Sequence, residues 1–391
     1  MREIPEGMLE ALTGSGSARI QFDVWYDGEL VLENVNVGQW SQKFDRSQAI
    51  VGSTSATVLD EDGSITPWGV EDALGVGGAR LHTKLVVDDM VLPLTQQRIS
   101  DSDPEETWML TRDGLLWVPG SSLIPVTAQD ATVMAVGSKF IASESPAAGG
   151  TCLSEIDRLL TGIMDVTWDD GLESRDKAVP AEVTYKDERL DAVTDLVEAM
   201  GLAARVDSSG QFHLYDPLDR TIRRTIAGGE LGQLIRVKRS QKLDGLYNAV
   251  RSYNTTPSGV EMAQTSYVTS GPLAWDGPHG RWPMKRQANF AGSDATLKDD
   301  ADAELKKIEE SRGVTLPVRM GLDPALEVGD WIEVLAPTPT GETAALPGRI
   351  ESISYGGQGG IPVGMDVELS CQMAAIQSAS DKVRRHRWQG N

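Results

Sequence analysis

The chain has 391 residues and a mass of 42.2 kDa, room for about two to four domains with real cores. Its 58 acidic residues outnumber 36 basic ones, and a net charge of −22 argues against a general nucleic-acid binder, which needs cations to release phosphate counterions. Two cysteines, Cys152 and Cys371, exclude a disulfide scaffold and a thiolate-rich zinc site, and no apolar run reaches the 18 residues of a membrane span.

Charge is uneven: −13 over residues 1–150, −7 over 151–225 and −2 over 226–391. The acidic start, Met1 to Glu6, leads into no apolar stretch, so no signal peptide is expected, and the chain reads as made in a reducing cytoplasm.

Ile4, Met8, Leu9 and Leu12 fall at helical spacing, and the Gly14–Ser17 run ends that helix. From Arg19 the period drops to two: Ile20, Phe22 and Val24 alternate with polar neighbours, and Asp27-Gly28 predicts a hairpin turn. Further short strands are expected at Val35–Val37, Ala56–Val58, Leu81–Val87, Thr107–Thr111, Leu115–Val118 and Ala131–Ala135. Residues 1–142 read as a β domain, barrel or sandwich.

Residues 143–150 have linker composition, and residues 151–225 then read as a small α/β module. Ser154 is expected to cap a helix carrying Ile156, Leu159, Leu160 and Ile163. A second helix, Leu190–Met200, ends on Gly201 and leads into a Leu202–Tyr215 hairpin. Residues 226–380 return to strands: Ile235–Val237, Leu246–Val250, Val260–Met262, Tyr267–Thr269, Val314–Met320, Trp331–Leu335, Arg349–Tyr355 and Met365–Cys371. One helix, Asp294–Arg312, is expected to turn Leu297, Ala301, Leu305 and Ile308 onto that second β domain. Residues 381–391 form a basic tail with Lys382, Arg384, Arg385, Arg387 and Trp388, read as flexible or partner-bound.

Chemistry is sparse. His82, His213, His279 and His386 are the whole histidine supply, so a triad or histidine metal site would need long-range convergence. No HExxH, Gly-x-Ser-x-Gly or Walker motif occurs, and Gly75-Val76-Gly77-Gly78 lacks the strand-to-helix setting of a nucleotide loop. Asp60, Asp62, Ser64 and Glu71 match calcium-loop positions, but Ile65 stands where the loop requires glycine, and a hairpin turn is the better reading. Asp169-Asp170 would serve glycoside hydrolysis only with a converging partner carboxylate. The chain therefore reads as a non-enzyme without metal or cofactor.

Two charge clusters remain. Arg220, Arg223, Arg224, Arg236, Lys238, Arg239 and Lys242, with Glu230 the one acid inside the run, fit either a surface that docks an acidic neighbour or outward strand positions. Asp60, Glu61, Asp62, Asp88 and Asp89, with Asp101, Asp103, Glu105 and Glu106, gather at predicted turns. They fit either an acidic channel wall, off which duplex DNA slides by like-charge repulsion, or plain solvated loops.

Three segments carry a family resemblance: the first helix with Ala18–Leu30 and Val51–Val58; the Leu190–Tyr215 helix and hairpin; and Glu304–Gly313 with Leu326–Val334. In order and local phrasing they resemble the tail hub or minor tail proteins of long-tailed bacteriophages, relatives of the contractile-phage baseplate hub. The resemblance implies a mainly β chain with an α+β insert: two tail-tube-like antiparallel β-barrel domains plus the small α/β module. It further implies a homotrimer at the virion tail tip that adapts a sixfold tube and lets DNA pass without specific binding. The implied neighbours are the distal tube ring, the tape-measure C-terminus and downstream tip or fibre proteins. Family members with peptidase, lysozyme or receptor-binding activity carry C-terminal extensions, and this chain stops soon after its second β region. A receptor- or carbohydrate-binding tail protein and a cell-wall hydrolase are the competing readings; aromatic content of 6% weakens the first and the missing catalytic set the second.

Overall fold

A computed structural model describes the chain except residues 15, 112, 115–116, 230–231, 239–245, 256–260, 272, 289–290, 312, 339–342, 373–374, 377, 380 and 382–391. Helix α1 (Met8–Thr13) precedes eight strands: β1 (Ala18–Tyr26), β2 (Glu29–Leu32), β3 (Val37–Asp45), β4 (Gly52–Asp60), β5 (Arg80–Val87), β6 (Met90–Ser102), β7 (Glu105–Leu110) and β8 (Trp117–Gln129). The β1–β2 turn is the expected one: Asp27 and Gly28 both have positive φ (50° and 80°), the backbone whose twist matches a tight hairpin. The inward residues of these strands, Ile20, Phe22, Val24, Leu81, Leu85, Ile99 and Ile124 among them, form the first core.

Residues 132–137 form helix α2 (Thr132–Gly137), not the expected strand. The Asp130 carboxylate stops the sheet there, accepting the Gly52 N–H at 2.5 Å from β4 and the Thr132 N–H at 3.0 Å ahead of it. The strand expected at Leu115–Val118 begins at Trp117 and runs on to Gln129; Leu115 and Leu116 lie outside the described residues.

The middle region holds α3 (Cys152–Leu160), β9 (Val166–Trp168), a 3-10 turn at Leu172–Arg175, α4 (Arg189–Ala199), β10 (Ala203–Val206) and β11 (Phe212–Tyr215). Its three strands pair in the order β10-β11-β9 under the two helices. The cap of α3 is Thr151 rather than Ser154. Thr151 Oγ1 accepts the Ser154 N–H, and Ser154 Oγ accepts the Thr151 N–H in return, a reciprocal capping box. Gly201, φ +70°, follows α4 as expected.

The last region contributes β12 (Ile222–Ala227), β13 (Leu234–Val237), β14 (Ala249–Thr255), β15 (Glu261–Tyr267), β16 (Pro283–Gln287), α5 (Asp294–Ser311), β17 (Gly313–Met320), β18 (Trp331–Pro337), β19 (Thr343–Gln358) and β20 (Ile361–Gln372). Its strands do not make a separate sheet. β19 pairs along its N-terminal half with β18, and from Ser352 to Gln358 with β3 (Ser352↔Asp45 to Gln358↔Gln39). One 14-stranded sheet results, ordered β13-β17-β20-β19-β3-β4-β8-β6-β5-β1-β2, with β7, β12 and β18 off that path. The mainly β class stands, but the two β regions share a sheet, and no closed barrel forms among the described residues.

Helix α5 packs, as expected, on strands of this last region. Ala301, Leu305 and Ile308 are buried as read, against Val250 of β14 and Val268 just after β15, and these strands belong to a separate three-stranded sheet, β15-β14-β16. Leu297 packs on Ala288 and Ala291 beside it.

Candidate assembly surfaces

A buried ionic junction holds these regions in register. The Leu326–Asp330 turn before β18 places the Glu327 carboxylate 3.0 Å from the Arg205 guanidinium of β10 and 3.8 Å from Arg2. The Met1 ammonium sits 2.7 Å from Asp330 and 3.3 Å from Glu327. Burial opposes ionisation of Glu327, but Arg205, Arg2 and the ammonium outweigh it and hold the carboxyl below its ordinary 4.5. Arg46, after β3, donates from Nε to the Tyr215 hydroxyl at 3.1 Å and pairs with Glu351 of β19 at 3.4 Å. Arg286 of β16 reaches Glu198 of α4 at 2.7 Å and Asp300 and Glu304 of α5 at 3.4 and 3.6 Å, tying the small sheet to the middle region. These pairs are partly or wholly buried, so removing one partner strands the other, and that penalty fixes the geometry.

The candidate channel acids divide. Asp60 is only 3% exposed, and its carboxylate accepts the N–H groups of Gly63, Ser64 and Ile65 at 2.9, 3.2 and 3.1 Å and the Thr66 hydroxyl at 2.7 Å. It organises a turn and cannot line a solvent channel, which corrects its place in the set. Glu61, Asp62, Asp88 and Asp89 are exposed. Asp88 is the first residue of the two-residue turn between β5 and β6, φ +50°, and accepts the Ser17 N–H at 3.0 Å. No group of three or more His, Cys, Asp or Glu side chains able to hold a metal occurs among the described residues.

The candidate docking bases divide as well. Arg224 pairs at 3.0 Å with fully buried Asp323, Arg223 pairs at 2.8 Å with Asp219, and Arg220 stacks 5.7 Å above the Trp331 ring. These three have partners within the chain, and the Arg223–Asp219 pair is exposed. Arg236 and Lys238, at the β13 edge, are exposed beside Ile235, which is 67% exposed. Arg239, Lys242 and the tail cations lie outside the described residues.

Among the described residues, His82, His213 and His279 each have different partners. His82 stacks on Trp25 at 5.1 Å, and burial with nearby Arg80 pushes it down to about 4. His213 bridges Thr167 at 3.0 Å and Asp169 at 3.1 Å, so Asp169 meets a histidine rather than a second carboxylate at glycosidase spacing. Sequence reasoning missed the exposed apolar residues of β7 and the following contacts with Trp68. Their signal was the rare Trp-Met-Leu run at 108–110 beside Glu105 and Glu106.

No family model and no curated protein matches the chain. Solved structures do. A tail protein from Neisseria meningitidis MC58 superposes with a TM-score of 0.60 at 13% identity, covering 91% of this chain and 98% of that one. The chain has the fold of phage tail proteins. The 43 kDa tail protein of prophage MuSo2 from Shewanella oneidensis gives a TM-score of 0.57 at 8% identity over 90% of this chain and 98% of that one. A prophage tail protein from Listeria monocytogenes EGD-e gives 0.51 at 10% identity over 93% and 99%.

Proposed function

We propose that the chain is a structural hub of a bacteriophage tail, assembled as a homotrimeric ring at the tail tip, where it adapts the sixfold tube and lets DNA pass. The observation that carries this is the length of the likeness: three phage tail proteins match over at least 90% of this chain and 98% of their own. A second observation supports assembly. Among the described residues, the strand path of the long sheet ends on β2, with Leu30 and Val31 44% and 42% exposed, and on β13, with Ile235. Open edges with apolar side chains are sites of pairing with another chain, and identical subunits close such contacts by rotation. The implied neighbours are the distal tube ring, the tape-measure C-terminus and tip or fibre proteins. In this reading Glu61, Asp62, Asp88 and Asp89 contribute to the channel wall, and Arg236 and Lys238 to a subunit contact. Reconstruction of purified tails tests it: three copies in one ring at the tip is the expected result, and one copy, or six equivalent copies, overturns it.

A further inference from the structure

Strand β8 outruns its sheet. Its pairing with β4 ends at Asp60↔Ser122, while its register with β7 continues from Glu105↔Leu123 to Leu110↔Trp117. From about Ser122 outward, β7 and β8 form a two-stranded arm paired to no third strand among the described residues. Such a ribbon is marginal in water unless something covers a face. The arm is also apolar on its surface: Trp108, Met109 and Leu110 are 43%, 55% and 50% exposed. Trp68, 77% exposed, meets Trp108 edge-on with ring centroids 6.4 Å apart, and Val70 beside it is 61% exposed. The loop carrying Trp68 is built rather than loose. The Asp72 carboxylate accepts the Trp68 and Gly69 N–H groups at 2.5 and 2.6 Å, and the Gly77 N–H donates to Val70 O at 2.6 Å.

The same two segments are strongly acidic. Residues 63–75 and 101–113 contain seven acids, Glu71, Asp72, Asp101, Asp103, Glu105, Glu106 and Asp113, and one base, Arg112. We infer that the β7–β8 arm and the Trp68 loop are a docking surface for a different tail protein, one presenting an apolar pocket rimmed by Lys and Arg. Paired exposed tryptophans are side chains of the kind that dominate interface energies, and acids on the same segments favour a partner with a cationic rim. A second copy of this chain suits the surface poorly. The chain is at −22, described cations such as Arg205, Arg224, Arg286 and Arg319 are held in internal ion pairs, and the exposed Arg236 and Lys238 at the β13 edge are taken up by the subunit contact of the ring proposed above. An anionic membrane is repelled by the same acids.

The inference rests on the tail-assembly reading, and its test separates the two. Tails are purified from cells supplying the chain with a photo-reactive phenylalanine in place of Trp108, and the cross-linked peptides are sequenced. Absence of the chain from tails would defeat the assembly reading itself. With the chain present, the expected product joins position 108 to another protein within a few residues of Lys or Arg. Its yield should fall at least tenfold when assembly is carried out in ~0.5 M rather than ~0.05 M salt, and much less in Glu105→Gln/Glu106→Gln, whose rim charge is gone. Cross-linking to a second copy of this chain, to an acidic segment, or to nothing overturns the inference. Trp68→Ser, at an exposed position that leaves the core untouched, should lower the yield to a similar degree; unchanged yield also counts against it.

Discussion

Gly329 lies against the hydroxyl of Tyr215: a Cβ on Gly329 would stand 2.5 Å from Tyr215 Oη. The contact joins the turn before β18 to the end of β11, and the same hydroxyl accepts the Arg46 Nε–H, so three regions meet at one oxygen. The φ of Gly329, +91°, is also one that L side chains avoid. Gly329→Ala therefore carries about 1 kcal/mol of backbone strain and about 1–3 kcal/mol of overpacking. Chemical denaturation should show a loss of that order. Tyr215→Ala in the same chain should recover the overpacking part but not the backbone part.

Acid sensitivity follows from the same turn. Glu327 is held below its ordinary 4.5 in the folded chain, so between the folded and unfolded values the unfolded state binds more protons. Its contribution is fully present above about pH 4.5 and is lost as pH falls through the lower, folded value. Asp323 behaves oppositely: burial outweighs Arg224 and raises its carboxyl above 3.8, so its ionisation costs stability as pH rises through the raised value. Urea midpoints measured from pH 3 to 7 should show a flatter acid limb in Glu327→Gln and a steeper one in Asp323→Asn than in the parent.

The middle region and the hairpins were largely readable because local chemistry decides them: Asp27-Gly28, the helix before Gly201, and the strand turn at Asp207–Gly210 all form as the residues predict. β6 was not readable. Its inward residues include Thr95 and Gln97, which join Gln42, Thr54 and Thr83 in a buried hydrogen-bonded cluster, so the apolar alternation that marks a strand is broken by polar residues facing the core. The shared sheet was equally hidden, since β3 and β19 meet across 300 residues of chain and each reads only as a strand. Of the site, charge was legible but direction was not: Asp60 and Asp62 look alike in sequence, and one is buried while the other is exposed.

Leu305 tests how far α5 is independent. It is 7% exposed on the small sheet beside Val250 and Ile308. Leu305→Asp loses its apolar burial, about 1.5–3 kcal/mol, and places a carboxylate with no partner of opposite charge there, a cost of several kcal/mol more. Because β14, β15 and β16 form their own sheet, hydrogen exchange should lose protection across residues 249–311 first, with β3, β4 and β19 still protected. Simultaneous loss of protection throughout the main sheet would show that the insert and the sheet unfold as one unit.

The exposed acids separate a channel role from a folding role. In the proposed hub, Glu61, Asp62 and Asp89 repel DNA at close range, a repulsion that salt screens over about 10 Å at ~0.1 M. Glu61→Lys/Asp62→Lys/Asp89→Lys would replace that repulsion with phosphate binding by counterion release, so genome ejection should slow or stall, more severely at low salt, while tails still assemble. Asp88 needs gentler treatment, since its positive φ suits Asp or Asn; Asp88→Asn removes the charge and keeps the turn. Asp60→Ala is the contrasting variant. It strands three backbone N–H groups and the Thr66 hydroxyl inside the turn, so it should lower stability by a few kcal/mol and reduce assembled tails rather than ejection rate. Normal ejection kinetics from tails carrying the triple lysine variant would place these acids on the outer surface and remove them from the channel.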